Sequence, residues 1–146
     1  MLTGTFARSI DDKLRIAIPK RLRESLGVSP TGILYITPGT DGSLALYTED
    51  ALARLAERLA AASPIERDVR AFGRLFYARA QAVEVDRQGR IRVPPELATL
   101  AGLAGETVLL GIQDHLELWA AQRWKAYLEE KLPHYDAIAE AAFGRR

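Results

Sequence analysis

At 146 residues, 48% hydrophobic and 27% charged, the chain has the composition of a globular protein with room for one or two small domains. No apolar run nears the ~18 residues that cross a bilayer, and the first residues hold no long apolar stretch of the secretory kind. Cysteine is absent, which excludes disulfides and thiolate sites, and a cytosolic protein is expected. The net charge of +1 says little, but its distribution is uneven. Arg8, Lys13, Arg15, Lys20, Arg21 and Arg23 share a stretch with only Asp11 and Asp12, while Glu49-Asp50 and Glu129-Glu130 lie elsewhere. Such an edge reads either as a solvated face or as a contact for an anionic polymer.

In chain order, Thr5 to Ile10 reads as a strand and Asp11 to Leu14 as a turn, with Arg15 to Ile18 as the return strand of a hairpin. Pro19 to Leu26 reads as a short helix, with Pro19 at its first position and Gly27 just past its end. Ile33 to Thr37 and Leu44 to Tyr47 are strands joined through the turn residues Pro38 to Gly42. Thr48 then caps a helix whose stripe is Leu52, Leu55 and Leu59. From Pro64 to Ala78, the helical spacing of Ile65, Val69, Phe72 and Phe76 predicts a packed helix, with Arg67, Arg70 and Arg74 on another, solvated or salt-bridging face. The same order then recurs. Ala80 to Val85 and Arg90 to Val93 make a hairpin, and Pro94 to Leu100 a short helix. Thr107 to Ile112 and Leu116 to Trp119 are strands, and Ala121 to Leu132 a helix stopped by Pro133. Ile138 and Ala142 extend a tail that frays at Phe143 to Arg146.

The repetition is close. Ile10-Asp11-Asp12-Lys13-Leu14-Arg15-Ile16-Ala17-Ile18-Pro19 returns 75 positions on as Val85-Asp86-Arg87-Gln88-Gly89-Arg90-Ile91-Arg92-Val93-Pro94. Each unit has roughly 60 residues, a size at which a separate core is marginal, so two halves gain by sharing one. The expected divisions are a first repeat over 1–63, a connecting helix over 64–78, a second repeat over 79–132 and a tail over 133–146.

In both copies an Asp precedes an Arg by four positions. An Asp in a turn accepts local backbone N–H groups, and the Arg opposite it can be held by the carboxylate. Asp11–Arg15 and Asp86–Arg90 therefore either staple their turns or aim a five-donor guanidinium at a phosphate or a guanine. The surroundings are basic: Lys13, Lys20, Arg21 and Arg23 about the first turn, Arg87 and Arg92 about the second. Two such ribbons could grip two nearby segments of DNA.

The chain resembles the MraZ family of bacterial transcriptional regulators, built from two AbrB/SpoVT-type swapped-hairpin halves. The likeness rests on Gly4-Thr5-Phe6, Asp11-Asp12-Lys13 with Arg15 and Pro19, Arg70 to Phe76, and Asp86 through Pro95. Late in the chain it adds Gly111, Asp114-His115, Glu117, Trp119 and Trp124. The resemblance implies an α+β fold whose duplicated strand-strand-helix-strand-strand-helix units form a double-psi or swapped-hairpin β-barrel core with helices outside. It also implies sequence-specific binding to double-stranded DNA at direct repeats upstream of a division and cell-wall gene cluster that includes its own gene. A homo-oligomeric ring at the nucleoid comes with that role, and the loops carry recognition through Lys13 and Arg15, then Arg87 and Arg90. Whether such a regulator represses or activates stays open.

One residue departs from the family pattern. Leu14 stands where a Gly is usual and where the second copy has Gly89, so a reshaped first turn is expected, or a leucine offered to a thymine methyl. Being richer in charge, the first loop is expected to be the main reader and the second more architectural. An enzyme is not expected: with two histidines, His115 and His134, no Gly-rich phosphate loop and no ligand spacing, neither a cofactor nor a metal is called for. An AbrB-type interaction or scaffold protein is the alternative, although a second full repeat stands where such antitoxins carry a disordered tail.

Overall fold

The structure is a computed structural model describing residues 1–28 and 31–144, so the fraying expected at Arg145 and Arg146 lies outside the described residues. The elements run β1 (Thr5–Ile10), β2 (Arg15–Ala17), α1 (Lys20–Leu26), β3 (Ile33–Pro38), β4 (Leu44–Tyr47), α2 (Glu49–Ala61) and α3 (Arg67–Arg79). They continue with β5 (Gln81–Glu84), β6 (Arg90–Arg92), α4 (Pro95–Ala101), β7 (Gly105–Ile112), β8 (His115–Ala120) and α5 (Ala121–Lys131). A 3-10 turn over Leu132–His134 leads into α6 (Tyr135–Gly144).

Local chemistry sets several of these ends. Thr48 caps α2 by accepting the Ala51 N–H at 3.1 Å. Pro19 and Pro94 both stand one position before their helices, with ψ near 139° and 135°, and Pro95 takes the first helical position of α4. Pro19 itself is thus a cap and not the first helical residue. Gly27 and Gly102 close the two short helices in the left-handed region, at φ 70° and 64°.

The strand pairing differs from two local hairpins. β1 does not ladder with β2, nor β5 with β6. β2 pairs antiparallel with β6, matching Arg15 to Arg92, Ile16 to Ile91 and Ala17 to Arg90. The other strands make one sheet in the order β1-β7-β8-β4-β3-β5, its recorded pairings antiparallel. That order is symmetric about its centre: β1 corresponds to β5, β7 to β3 and β8 to β4. Each repeat therefore gives its first strand to the other half's sheet and its second to a shared ribbon. The α+β class and the duplicated, strand-exchanging units are as expected; the sheet of the core is open, with β1 and β5 as its edges, and is accompanied by the two-stranded ribbon.

The swap follows from size. A half of this length has only a marginal core of its own, and interleaving gives both halves one interior. Ile16, Ile18 and Leu22 of the first repeat and Ile91, Val93 and Leu97 of the second belong to a single buried cluster with Leu34, Ile36, Leu46, Leu109, Leu116 and Leu118. A smaller cluster joins Val108, Leu110 and Trp119 to Trp124 and Tyr127 of α5.

α3 packs less than its stripe predicts. Phe76 is buried, but Phe72 is 43% and Ile65 84% exposed. Helix formation begins only at Arg67, and the Pro64 and Ile65 carbonyls before it accept from Arg70 Nη1. The apolar stripe thus finds its partner β3 only at the helix's last turn.

Candidate nucleic-acid interface

The two Asp turns are built alike. Asp11 Oδ1 accepts from the backbone N–H of Lys13 at 3.0 Å and of Arg15 at 2.8 Å, while Oδ2 accepts from Arg15 Nε at 2.8 Å. Asp86 repeats this with Gln88 at 2.8 Å, Arg90 at 2.9 Å and Arg90 Nε at 3.0 Å. In each turn the Asp N–H bonds the Arg carbonyl, and the residue before the Arg bonds the Asp carbonyl.

Three donors converge on each carboxylate, so both Asp residues titrate below the usual carboxylate range. The backbone N–H of the following Arg is the largest cause, and the side-chain bond to that Arg adds to it. Ion pairs this exposed contribute little to stability. Their effect is directional: the carboxylate fixes the guanidinium through Nε. Among the described residues, neither Arg15 nor Arg90 has a recorded bond from Nη1 or Nη2.

Leu14 does not reshape its turn. It takes φ 62°, beside 79° for Gly89, and keeps the same bonds. The expected departure is therefore corrected: a leucine holds the left-handed position. Nor is Leu14 a tip residue offered to a thymine methyl, because its half-buried side chain packs on the core.

The turns meet through the β2–β6 ribbon. Val93 N–H bonds the Leu14 carbonyl at 2.8 Å, and Ile18 N–H bonds the Gly89 carbonyl at 2.9 Å. Ile16 and Ile91 point inward and are buried, so Arg15, Ala17, Arg90 and Arg92 share the outer face. Arg15 lies directly across from Arg92, and two residues of strand, about 7 Å, separate Arg15 from the register of Arg90. One face thus replaces the two separate ribbons expected from sequence. Like charges set opposite each other across a ladder repel, and a polyanion laid along that face would relieve the repulsion. A two-stranded ribbon also fits the width of a major groove.

The basic residues that are neighbours in sequence separate in space. Lys13 is exposed on the first turn, and Arg87 on the second. Arg21 lies 5.2 Å over the Phe6 ring beside Gly4, at the start of β1 and away from either turn. Arg23 crosses to the second turn, with Nε bonding the Ile18 carbonyl at 3.0 Å and the guanidinium lying on Gly89. Lys20 Nζ lies 3.8 Å from Glu24 Oε1. Arg8 turns its Nη1 to the adjacent Ala7 carbonyl at 2.7 Å and shares a strand face with Phe6 and Ile10.

Around the second turn the structure gathers Arg87, Arg90 and Arg23; around the first, Lys13 and Arg15, with Arg92 across the ribbon. The crowding of charge about the first loop, evident along the sequence, is not reproduced in space. The only signal for this was the spacing of Arg21 and Arg23. Two positions apart on a helix, they point about 200° from each other.

His115 and Trp119 are held by neighbours within the fold. His115 Nδ1 lies 2.8 Å from Asp114 Oδ1, and its ring stacks on Tyr47 at 4.9 Å. Trp119 donates to Glu117 and packs with Trp124 and Tyr127. Among the described residues no three His, Cys, Asp or Glu side chains gather to hold a metal ion, and no helix is long and apolar enough to cross a membrane.

Comparison with known proteins gives the same duplication. The family described as "MraZ protein, putative antitoxin-like" matches residues 1–75 and again 76–146. Among curated proteins, the transcriptional regulator MraZ of Thermomicrobium roseum is 43% identical over 140 residues, covering 96% of each chain. Its namesake in Limosilactobacillus reuteri is 40% identical, again covering 96% of each chain, and that of Heliobacterium modesticaldum is 40% identical over 96% of this chain and 95% of its own. The solution structure of PHS018 from Pyrococcus horikoshii aligns with 81% of this chain and 88% of its own, at 12% identity and a TM-score of 0.37, and no feature described above depends on it.

Proposed function

The chain belongs to the MraZ family, and from that premise we propose that it is a sequence-specific DNA-binding transcriptional regulator. It acts as a homo-oligomeric ring on tandem direct repeats upstream of its own gene, in the division and cell-wall cluster, and works in the cytoplasm at the nucleoid. The observation that carries the reading is the shared outer face of β2 and β6. There two matched Asp turns hold Arg15 and Arg90 by Nε, and Arg92 stands directly across the ribbon from Arg15.

A single face of this size binds weakly and loses affinity steeply with salt, because most of its binding is counterion release. Several copies engaging evenly spaced repeats raise the avidity through effective concentration. Apolar residues left exposed on α3 and α6, among them Phe72, Leu75, Tyr135, Ile138 and Phe143, support assembly with further copies.

The test is a gel shift with duplex DNA from the chain's own upstream region. Arg15→Ala abolishes the repeat-specific complex while the oligomer keeps its size in gel filtration; unchanged binding removes the first turn from the interface. The second reading, an antitoxin-like scaffold, draws on the same exposed apolar surfaces and predicts no salt-sensitive retention on that DNA.

A further inference from the structure

We infer that Arg23 is the phosphate-contacting cation of the second recognition turn, supplied across the repeat boundary by the first half. The inference rests on the DNA-binding reading above and adds a residue that the repeat comparison alone assigns to the wrong turn. In the first turn the position two after the Asp is Lys13; in the second it is Gln88. The second turn thus lacks a cation at that place, and Arg23 lies beside it.

Two contacts fix Arg23 there. Its Nε donates to the Ile18 carbonyl at 3.0 Å, and the Ile18 N–H donates to the Gly89 carbonyl at 2.9 Å, so Ile18 links the arginine to the turn. A Cβ placed on Gly89 would fall 2.7 Å from Arg23 Cζ and Nε and 3.0 Å from Nη2. The guanidinium therefore lies on the bare backbone of the turn, in space that only glycine leaves open. Arg23 is half-buried, and among the described residues Nη1 and Nη2 have no recorded partner. The nearby acids are engaged with other cations: Glu24 with Lys20 and Asp86 with Arg90.

The first turn shows the reciprocal arrangement. The counterpart of Arg23 in the second half is Ala98, buried in the core, and the counterpart of Gly89 is Leu14, packed on the core cluster that contains Ala98. By repeat position, a large turn residue therefore goes with a small helix residue in one loop, and a small turn residue with a large helix residue in the other. The left-handed residue before each Arg thus decides whether a helix cation can reach the turn.

The test measures affinity against salt by fluorescence anisotropy, using the full chain with its upstream duplex and with an unrelated duplex of equal length. Arg23→Ala is expected to weaken both duplexes by the same factor and to lower the slope of log K against log salt by about 0.9 per engaged loop. Over a fourfold rise in salt that is about a 3.5-fold smaller loss of affinity per loop. Arg23→Gln, whose amide can still reach the Ile18 carbonyl, is expected to lose the same slope, and Arg23→Lys to keep it. An unchanged slope in Arg23→Ala and Arg23→Gln overturns the inference and leaves Arg23 as a brace for Ile18. If the unsubstituted chain shows no salt-dependent binding to either duplex, the DNA-binding reading itself falls, and this inference with it.

Discussion

Gly89→Leu gives the second turn the residue that the first turn already has. Two losses are expected. A leucine in the left-handed region costs roughly 1–2 kcal/mol, and its Cβ, 2.7 Å from Arg23 Cζ, displaces the guanidinium from the Ile18 carbonyl. A charge-assisted bond of this kind contributes about 1.5 kcal/mol when half-exposed, so the single variant loses about 3 kcal/mol. Arg23→Ala alone loses about 1.5 kcal/mol. Independent losses would bring the double variant to about 4.5 kcal/mol. The double variant instead recreates the Leu14 and Ala98 arrangement, where half-burial of a leucine returns about 1 kcal/mol, so a loss of only about 2 kcal/mol is expected. Urea unfolding at fixed protomer concentration measures all three, since assembly otherwise enters the apparent stability. Losses that add to within about 0.5 kcal/mol would refute the claim that Arg23 and the turn compete for one space.

Acid should loosen both turns together. Asp11 and Asp86 are held below the usual carboxylate range, so their contribution is complete above the unfolded value and fades as pH falls through the folded one. The amide resonances of Arg15 and Arg90 should hold still until below the ordinary Asp range and then shift; a midpoint at the ordinary value would contradict the convergence of donors. Gly111→Ala places a Cβ 2.5 Å from the Thr3 nitrogen, and backbone cannot swing aside as a side chain does. A loss of about 2–3 kcal/mol is expected, with faster exchange at the Leu2 and Gln113 amides, which bond each other's carbonyls; unchanged exchange would show that the opening segment has slack the structure denies it.

What the sequence disclosed was local. The alternation of Ile16 and Ile18, the Gly27 and Gly102 stops and the Thr48 cap are set by neighbours a few residues away, and the structure keeps them. The Asp-to-Arg spacing was legible for the same reason, since one carboxylate collects donors from within its own turn. Pairing partners were not legible. β1 has the same pattern whether it ladders with β2 or with β7, and only the need of two small halves for one interior decides between them. The placement of charge failed on geometry. Arg21 and Arg23 stand two positions apart in the sequence, yet the helix sends one to Phe6 and the other to Gly89. The place of Leu14 was not legible either, because the core cluster it packs against is assembled from residues of both repeats.

The central claim is that the β2–β6 face, with its two Asp-held arginines, reads DNA. Footprinting of the chain's own upstream region, with Arg15→Ala and Arg90→Ala alongside, tests it most directly. The account predicts evenly spaced protection by the unsubstituted chain, and its loss in either variant while fold and oligomer size persist. Protection that survives in the double variant would contradict it.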